Sequence, residues 1–411
     1  MNVFPGHGDS LLRGLDVLVD GTTIRSIRQH GEDARWGGDD EVIDGAGKTL
    51  MPGLIDAHYH AAITGMPIGG QLMPDLNYSM IDAGRQATAT LIRGFTTVRD
   101  CGGPTFGLKR AIDDGLVAGP RIYPAGAMIT QTSGHADFRS STEISPCCSG
   151  VAHVERIGLS VIADGVDAVL KASREQLRLG ASHLKLMAGG GISSAYDPLD
   201  VVQYTEAELR AGVDAAENWG TYVMVHAYTP RSVQQALRAG VRSIEHGHLV
   251  DEATVQQMAE AGAWWSLQPF LGEEQSEGLP PASLAKLSEV VKGTHRSYEL
   301  AIKHRIKVAW GSDIMASDGF APRQLSMLMA MTRWYSPAEV LAMATSANGE
   351  LLQLSGARNP YPGVLGRVEE GAIADLLLVD GDPLAQLSLL GDPEQNLAAI
   401  MKDGVLVKRR C

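Results

Sequence analysis

Eight short apolar runs, each followed by a longer amphipathic stretch, occupy the chain from about Pro52 to Leu354. The runs are Leu54–His58, Thr96–Asp100, Arg121–Ala125, His183–Met187, Tyr222–His226, Ser243–His246, Trp264–Gln268 and Lys307–Asp313. Helix-like segments between them include Asp82–Arg93, Val166–Leu179, Thr205–Asn218, Pro230–Ala239, Asp251–Ala261 and Pro281–His304. A short continuous apolar run suits a strand buried on both faces, and a helix after each strand makes successive strands parallel. Eight such units predict an α/β fold, a (β/α)8 barrel of TIM-barrel type, in preference to a doubly wound sheet.

The two ends of the chain read differently. Leu15–Asp20 and Ile24–Arg28 flank the turn Gly21-Thr22-Thr23 as a hairpin, and Glu41–Asp44 and Lys48–Met51 continue the strand-like pattern. Near the other end Ala374–Val379, Asn396–Lys402 and Gly404–Val407 are again short and apolar. Because domain termini often lie close together, the ends are expected to form one small β-sandwich. The predicted division is residues 1–51 and 355–411 for the sandwich and 52–354 for the barrel.

Composition excludes several functions. Lys and Arg number 35 against 48 Asp and Glu, a net charge of −13, which disfavours nucleic acid and anionic membrane surfaces as partners. The four cysteines, Cys101, Cys147, Cys148 and Cys411, include no C-x-x-C pair, so a disulfide framework or zinc ribbon is not expected. Neither a leader-like N-terminus nor an apolar run long enough for a membrane span is visible. A reducing, cytoplasmic setting is the expectation.

In such a barrel chemistry gathers where the strands end. The first run leads into His58-Tyr59-His60, and residues two apart on a strand share a face. The fifth ends in His226, the sixth in His246 and the eighth in Asp313. Each alone suits a core histidine or a capping aspartate. Together they supply nitrogen and oxygen donors at one end of the barrel, the set that a divalent ion such as zinc takes. Lys185 sits between Leu184 and Leu186, ahead of Ala188-Gly189-Gly190-Gly191. A lysine inside a barrel strand either snorkels to the rim or is neutralised, for example by carboxylation.

These residues resemble the amidohydrolase superfamily of binuclear type. The resemblance runs in order through Pro52–His60, Lys185, His226, Ile244-Glu245-His246-Gly247, Gly311-Ser312-Asp313, Pro337–Asn348 and Gly366–Leu376. It implies a barrel with a terminal sandwich and two divalent metal ions, zinc by expectation. One ion would be held by His58, His60 and Asp313 and the other by His226 and His246. Carboxylated Lys185 and a hydroxide would bridge them. Two close cations make water acidic enough to attack an amide at neutral pH, and Asp313 would take the proton and pass it to the leaving amine.

Within that superfamily, Lys185–Gly191, Thr132–Asp137 and His226-Ala227-Tyr228 look like the branch of Xaa-Pro dipeptidases, N-acyl-amino-acid carboxypeptidases and ochratoxin-hydrolysing amidases. That branch implies a small amide substrate with a free carboxylate, contacted by His135 and Tyr228. Arg99, Arg139, His248 and Arg323 are lesser anion-binding candidates, the loop Ser317–Phe320 a pocket-shaping one, and Trp264 and Trp265 are expected to pack. A homo-oligomer is expected. The alternatives are a cyclic-amide hydrolase of imidazolone or hydantoin type, a lactonase, and a non-catalytic metal-binding protein.

Overall fold

The structure, a computed structural model, describes residues 1–31, 41–65, 75–143, 150–272, 279–314 and 321–410. Its centre is a parallel barrel. Strand one is Leu54–Tyr59, strand two Phe95–Asp100, strand four Leu184–Met187 and strand five Val223–Ala227. Strands six, seven and eight are Ser243–His246, Trp264–Leu267 and Val308–Trp310. Strands four to eight pair in sequence order and all in parallel. A parallel bridge between Tyr59 and Ile314 closes strand eight onto strand one.

Strand three departs from the single run expected at Arg121–Ala125. It is broken into Arg121–Pro124, which pairs with strand two, and Met128–Thr130, which pairs with strand four. Gly126 stands between them at φ +75°, where a side chain would also meet Gln176 and Phe106. The chain bends there, and Ser160–Ile162 extends the sheet beyond the second piece.

Helices follow the strands as the periodicity requires. Glu206–Asn218 begins with a capping box in which Thr205 and Glu208 exchange hydrogen bonds, satisfying donors that a helix start leaves free. Inside the barrel, Trp265, Trp310 and Phe95 are fully buried, and Phe95 stacks on Trp310. Both Trp264 and Trp265 pack in the core as expected.

Both chain ends supply one mixed sheet, ordered Asn2–Val3, Thr49–Pro52, Leu376–Val379, Leu397–Lys402 and Val405–Arg409. The hairpin Leu15–Asp20 with Thr23–Gln29 packs Leu15, Val17, Ile24 and Ile27 against that sheet's Leu376 and Leu378. The strand expected at Glu41–Asp44 is absent; those residues belong to no sheet. Val42 there is exposed, with no apolar surface to cover it.

The terminal sheet is tied to the barrel through charge. Arg121, at the base of strand three, reaches Asp375 and Asp403, both in the C-terminal part of the chain. Removing one partner of a buried ion pair leaves the other charge uncompensated, which costs about 3–5 kcal/mol. Arg121→Met is therefore expected to lower stability by that order in urea titration, while Arg110→Met, whose ion pair is solvent-exposed, changes it little.

Among the described residues no helix is long and apolar enough to cross a membrane. Cys101 is buried and unpaired; Cys147, Cys148 and Cys411 lie outside the described residues.

Candidate metal centre

The segment Gly311-Ser312-Asp313 shows why the eighth strand ends as it does. A Cβ on Gly311 would lie 2.4 Å from the Cβ of His58, so only glycine allows strand eight this close to strand one. The amide and hydroxyl of Ser312 donate to buried Asp56 at 3.0 and 2.5 Å. Asp56 also accepts from the His58 amide and the Gln324 side chain. The Asp313 amide donates to the His58 carbonyl at 2.7 Å. Asp313 itself is left-handed, φ +53°, and so is His246 at φ +73°. Such conformations cost energy and persist where the surroundings over-determine them. Trp265 does so for His246, its indole donating to the His246 carbonyl at 2.7 Å.

Each of the four strand-end histidines has one ring nitrogen committed to an acceptor. His58 Nδ1 is 2.8 Å from Glu245 Oε2, and His60 Nδ1 is 3.1 Å from the Gly102 carbonyl. His246 Nδ1 is 2.7 Å from Gln268 Oε1, and His226 Nε2 is 3.0 Å from the Gly190 carbonyl. A carboxylate or carbonyl can only accept, so the proton resides on that nitrogen and the other presents a lone pair. Those lone pairs are at Nε2 of His58, His60 and His246 and at Nδ1 of His226. Burial holds His226 and His246 well below the ordinary imidazole pKa, which keeps them neutral.

Asp313 Oδ1 is 3.3 Å from His58 Nε2 and 3.4 Å from His60 Nε2. It is buried and accepts no hydrogen bond. Burial pushes this carboxyl up, but His58, His60 and His246 hold it well below the usual carboxylate range. Burial likewise depresses His58, yet Cys101 and Asp313 outweigh it and raise its pKa well above the usual value. Both shifts report a local field that calls for positive charge. A proton shared by His58 and Asp313 or a cation satisfies that field, and His58, His60 and Asp313 form a group that could hold a metal ion.

Lys185 lies in the middle of strand four, opposite Met224 and two pairs below Met187 opposite His226. It is 1% exposed, and its charge acts on His58, His226 and His246. Among the described residues it meets no hydrogen-bond acceptor and no carboxylate. His135 stacks on His226 with ring centres 4.0 Å apart, and Tyr228 stacks on His246 at 5.2 Å. Burial first, then Asp313 and Asp197, keep the Tyr228 phenol protonated, so it is a donor. All the strand-end candidates, with Lys185, His135 and Tyr228, thus meet at one mouth of the barrel.

The lesser candidates divide. Arg99 is not a rim cation but fully buried, with Nη2 at 2.8 Å from both oxygens of Glu245. Arg139 is paired with Asp137. His248 donates from Nε2 to the Gln268 carbonyl, and burial lowers its pKa to about 4, so its unpartnered Nδ1 is an acceptor. Arg323 is half-buried, and the loop Ser317–Phe320 lies outside the described residues.

Glu245 had no role assigned from sequence. It pins His58 and neutralises Arg99, and Arg99 with His58 holds its pKa far down against burial. The reasoning that singled out Lys185, a charge inside a barrel strand, applies to Glu245 and Arg99 equally. Glu245→Gln is expected to cost about 3–5 kcal/mol by stranding Arg99. It should also weaken metal binding by about 10–100-fold through His58, read by urea titration and competitive chelation.

Fixed lone pairs around a bare carboxylate, at the strand-end mouth of a parallel barrel, define a metal-dependent hydrolase. Residues 49–407 match the amidohydrolase family profile; the chain belongs to that family and so acts on amide or peptide bonds. Ochratoxinase of Aspergillus niger is 30% identical over 383 residues, covering 87% of this chain and 75% of that one. A prolidase solved with N-methylphosphonate-L-proline superposes at TM-score 0.88 with 34% identity, over 100% of this chain and 99% of that one. A Xaa-Pro dipeptidase with methionine in its active site gives 0.84 and 26%, over 99% and 98%.

Proposed function

We propose that the protein is a binuclear amidohydrolase that cleaves an N-acyl amino acid, dipeptide or ochratoxin-like amide whose leaving amino acid bears a free carboxylate. The observation that carries this is the bare Asp313 Oδ1 between the Nε2 atoms of His58 and His60. In this reading His58, His60 and Asp313 would hold one divalent ion and His226 and His246 the other, and carboxylated Lys185 would add its oxygens to the set. Carboxylation joins the neutral Lys185 amine to carbon dioxide with release of one proton, or of two counted from the ammonium, and it gives a buried nitrogen without an acceptor among the described residues two oxygens to offer the ions.

The ions, when bound, acidify a water and polarise the scissile carbonyl. Asp313, ionised by its histidine neighbours, takes the proton of the attacking water and returns it to the leaving nitrogen. Tyr228, held protonated, donates to the oxygen on which charge develops. His135, against His226, contacts the substrate.

The test is a panel of N-acyl amino acids, Xaa-Pro dipeptides, ochratoxin-like amides, hydantoins and imidazolones. Cleavage of linear amides is expected; cleavage of cyclic amides alone overturns the assignment. Dialysis against a strong chelator is expected to lower turnover by at least about 10²-fold, restored by divalent metal. Circular dichroism should hardly change, because the barrel core is apolar and independent of the ions. Full turnover with no bound metal would sink the mechanism. Zinc as the metal, a cytoplasmic setting and a homo-oligomer complete this reading; elemental analysis, fractionation and light scattering check them.

A further inference from the structure

The segment after strand four folds back over the barrel mouth. Ala188 accepts from the Gln203 amide, and Gly189 bridges Val202, so residues 188–203 form a narrow arm. The three glycines allow it. A Cβ on Gly190 would lie 1.8 Å from the Pro198 carbonyl oxygen, and one on Gly191 2.1 Å from the His135 ring. The arm therefore lies directly against His135.

Three side chains turn this contact into a fixed geometry. Asp197, buried, places Oδ2 3.2 Å from His135 Nδ1 and 2.7 Å from the Gly191 amide. Ser194 Oγ is 2.5 Å from the same Nδ1. The ammonium of Lys286, on the helix Pro281–Lys303, donates to the carbonyls of Gly191, Ser194 and Asp197 at 2.9, 2.9 and 2.8 Å. It also lies 3.8 Å from Asp197 Oδ1, which has no hydrogen bond of its own. The backbone of His135 is fixed too, its amide donating to Gln203 Oε1 at 2.8 Å.

A serine, a histidine and an aspartate in contact suggest a nucleophilic triad, but the geometry excludes one. Ser194 and Asp197 both address Nδ1, whereas a triad uses the two ring nitrogens separately. What remains is orientation. A carboxylate can only accept, so Nδ1 keeps a proton, and Nε2 is left without a partner among the described residues on a ring stacked against His226.

We propose that Asp197 is the positioning residue of His135, fixing Nε2 as its working atom, and that Lys286 anchors the arm that carries Asp197. This rests on the reading of His135 as a substrate contact. Lys286 comes from the helix between strands seven and eight, so two distant barrel segments jointly set one imidazole.

Asp197→Asn keeps an acceptor for the Gly191 amide and hence the arm, but removes the charge on Nδ1. It is expected to lower kcat/KM by about 10–100-fold and to displace one limb of its pH profile, with metal content unchanged. In a His135→Asn background the same substitution should change kcat/KM by less than about twofold, because coupled residues are not additive. Equal losses in both backgrounds would show that Asp197 acts on the arm alone and overturn the proposal. Lys286→Met is expected to raise KM roughly tenfold with kcat little altered; an unchanged KM refutes the anchor. A readout without substrate separates this inference from the proposed reaction. In metal-loaded protein with nitrogen-15 histidine, His135 should show a protonated Nδ1 that shifts in Asp197→Asn. An Nε2-protonated tautomer in the wild type overturns the proposal even if amides are cleaved, and failure to cleave amides leaves that measurement decisive.

Discussion

Asp313→Asn is expected to reduce kcat/KM by roughly 10³-fold or more. The substitution is close to isosteric, and asparagine is among the few residues that accept the left-handed φ of +53° at this position. The backbone bond from residue 313 to the His58 carbonyl therefore survives, and the melting temperature should move little. What changes is charge and polarity. An ionised oxygen facing two lone pairs becomes an amide that cannot serve as a base, and general acid–base contributions alone are worth about 10²–10⁴-fold. Loss of a metal ligand adds to this. Elemental analysis of the same sample should show metal depleted from the centre. Wild-type turnover in this variant would remove Asp313 from both proposed roles.

Lys185→Ala should show the second-largest loss, about 10²–10³-fold in kcat/KM, with bound metal falling from about two ions per chain to about one. The side chain is buried without an acceptor among the described residues, and in the proposed centre its carboxylated form would serve both ions. If that form is the native one, a short carboxylate such as acetate, entering the space left by alanine, should restore a fraction of the activity. Lys185→Met controls for packing, since it keeps the apolar stem. Two ions and full turnover in Lys185→Ala would rule out a bridging role.

The barrel was legible because each of its strands is a short apolar run between amphipathic segments, a pattern set by burial on both faces. Its mouth was legible because histidines and an aspartate at strand ends are conspicuous in such runs. Glu41–Asp44 misled because apolar alternation says nothing about whether a partner strand is within reach. Strand three misled because the break at Gly126 depends on how Gln176 and Phe106 crowd that point. Asp197, Ser194 and Lys286 were invisible for a related reason. Their roles arise where an arm after strand four meets a helix some ninety residues on, and no local period encodes that meeting. Arg99 was misjudged because arginine is usually solvated, whereas here Glu245 in the next layer of the barrel makes burial tolerable.

The order of strands in the terminal sheet has a consequence for synthesis. Thr49–Pro52 lies between Asn2–Val3 and Leu376–Val379, so one edge of an early strand waits for residues made only after the whole barrel. At about 5–20 residues per second that interval is on the order of tens of seconds. During it the whole barrel emerges while Leu50 and Met51 keep an open edge, a template for pairing with another chain. Closure of that edge is necessarily a late, long-range step of high contact order, and Arg121 completes its clasp only once Asp375 and Asp403 have left the ribosome.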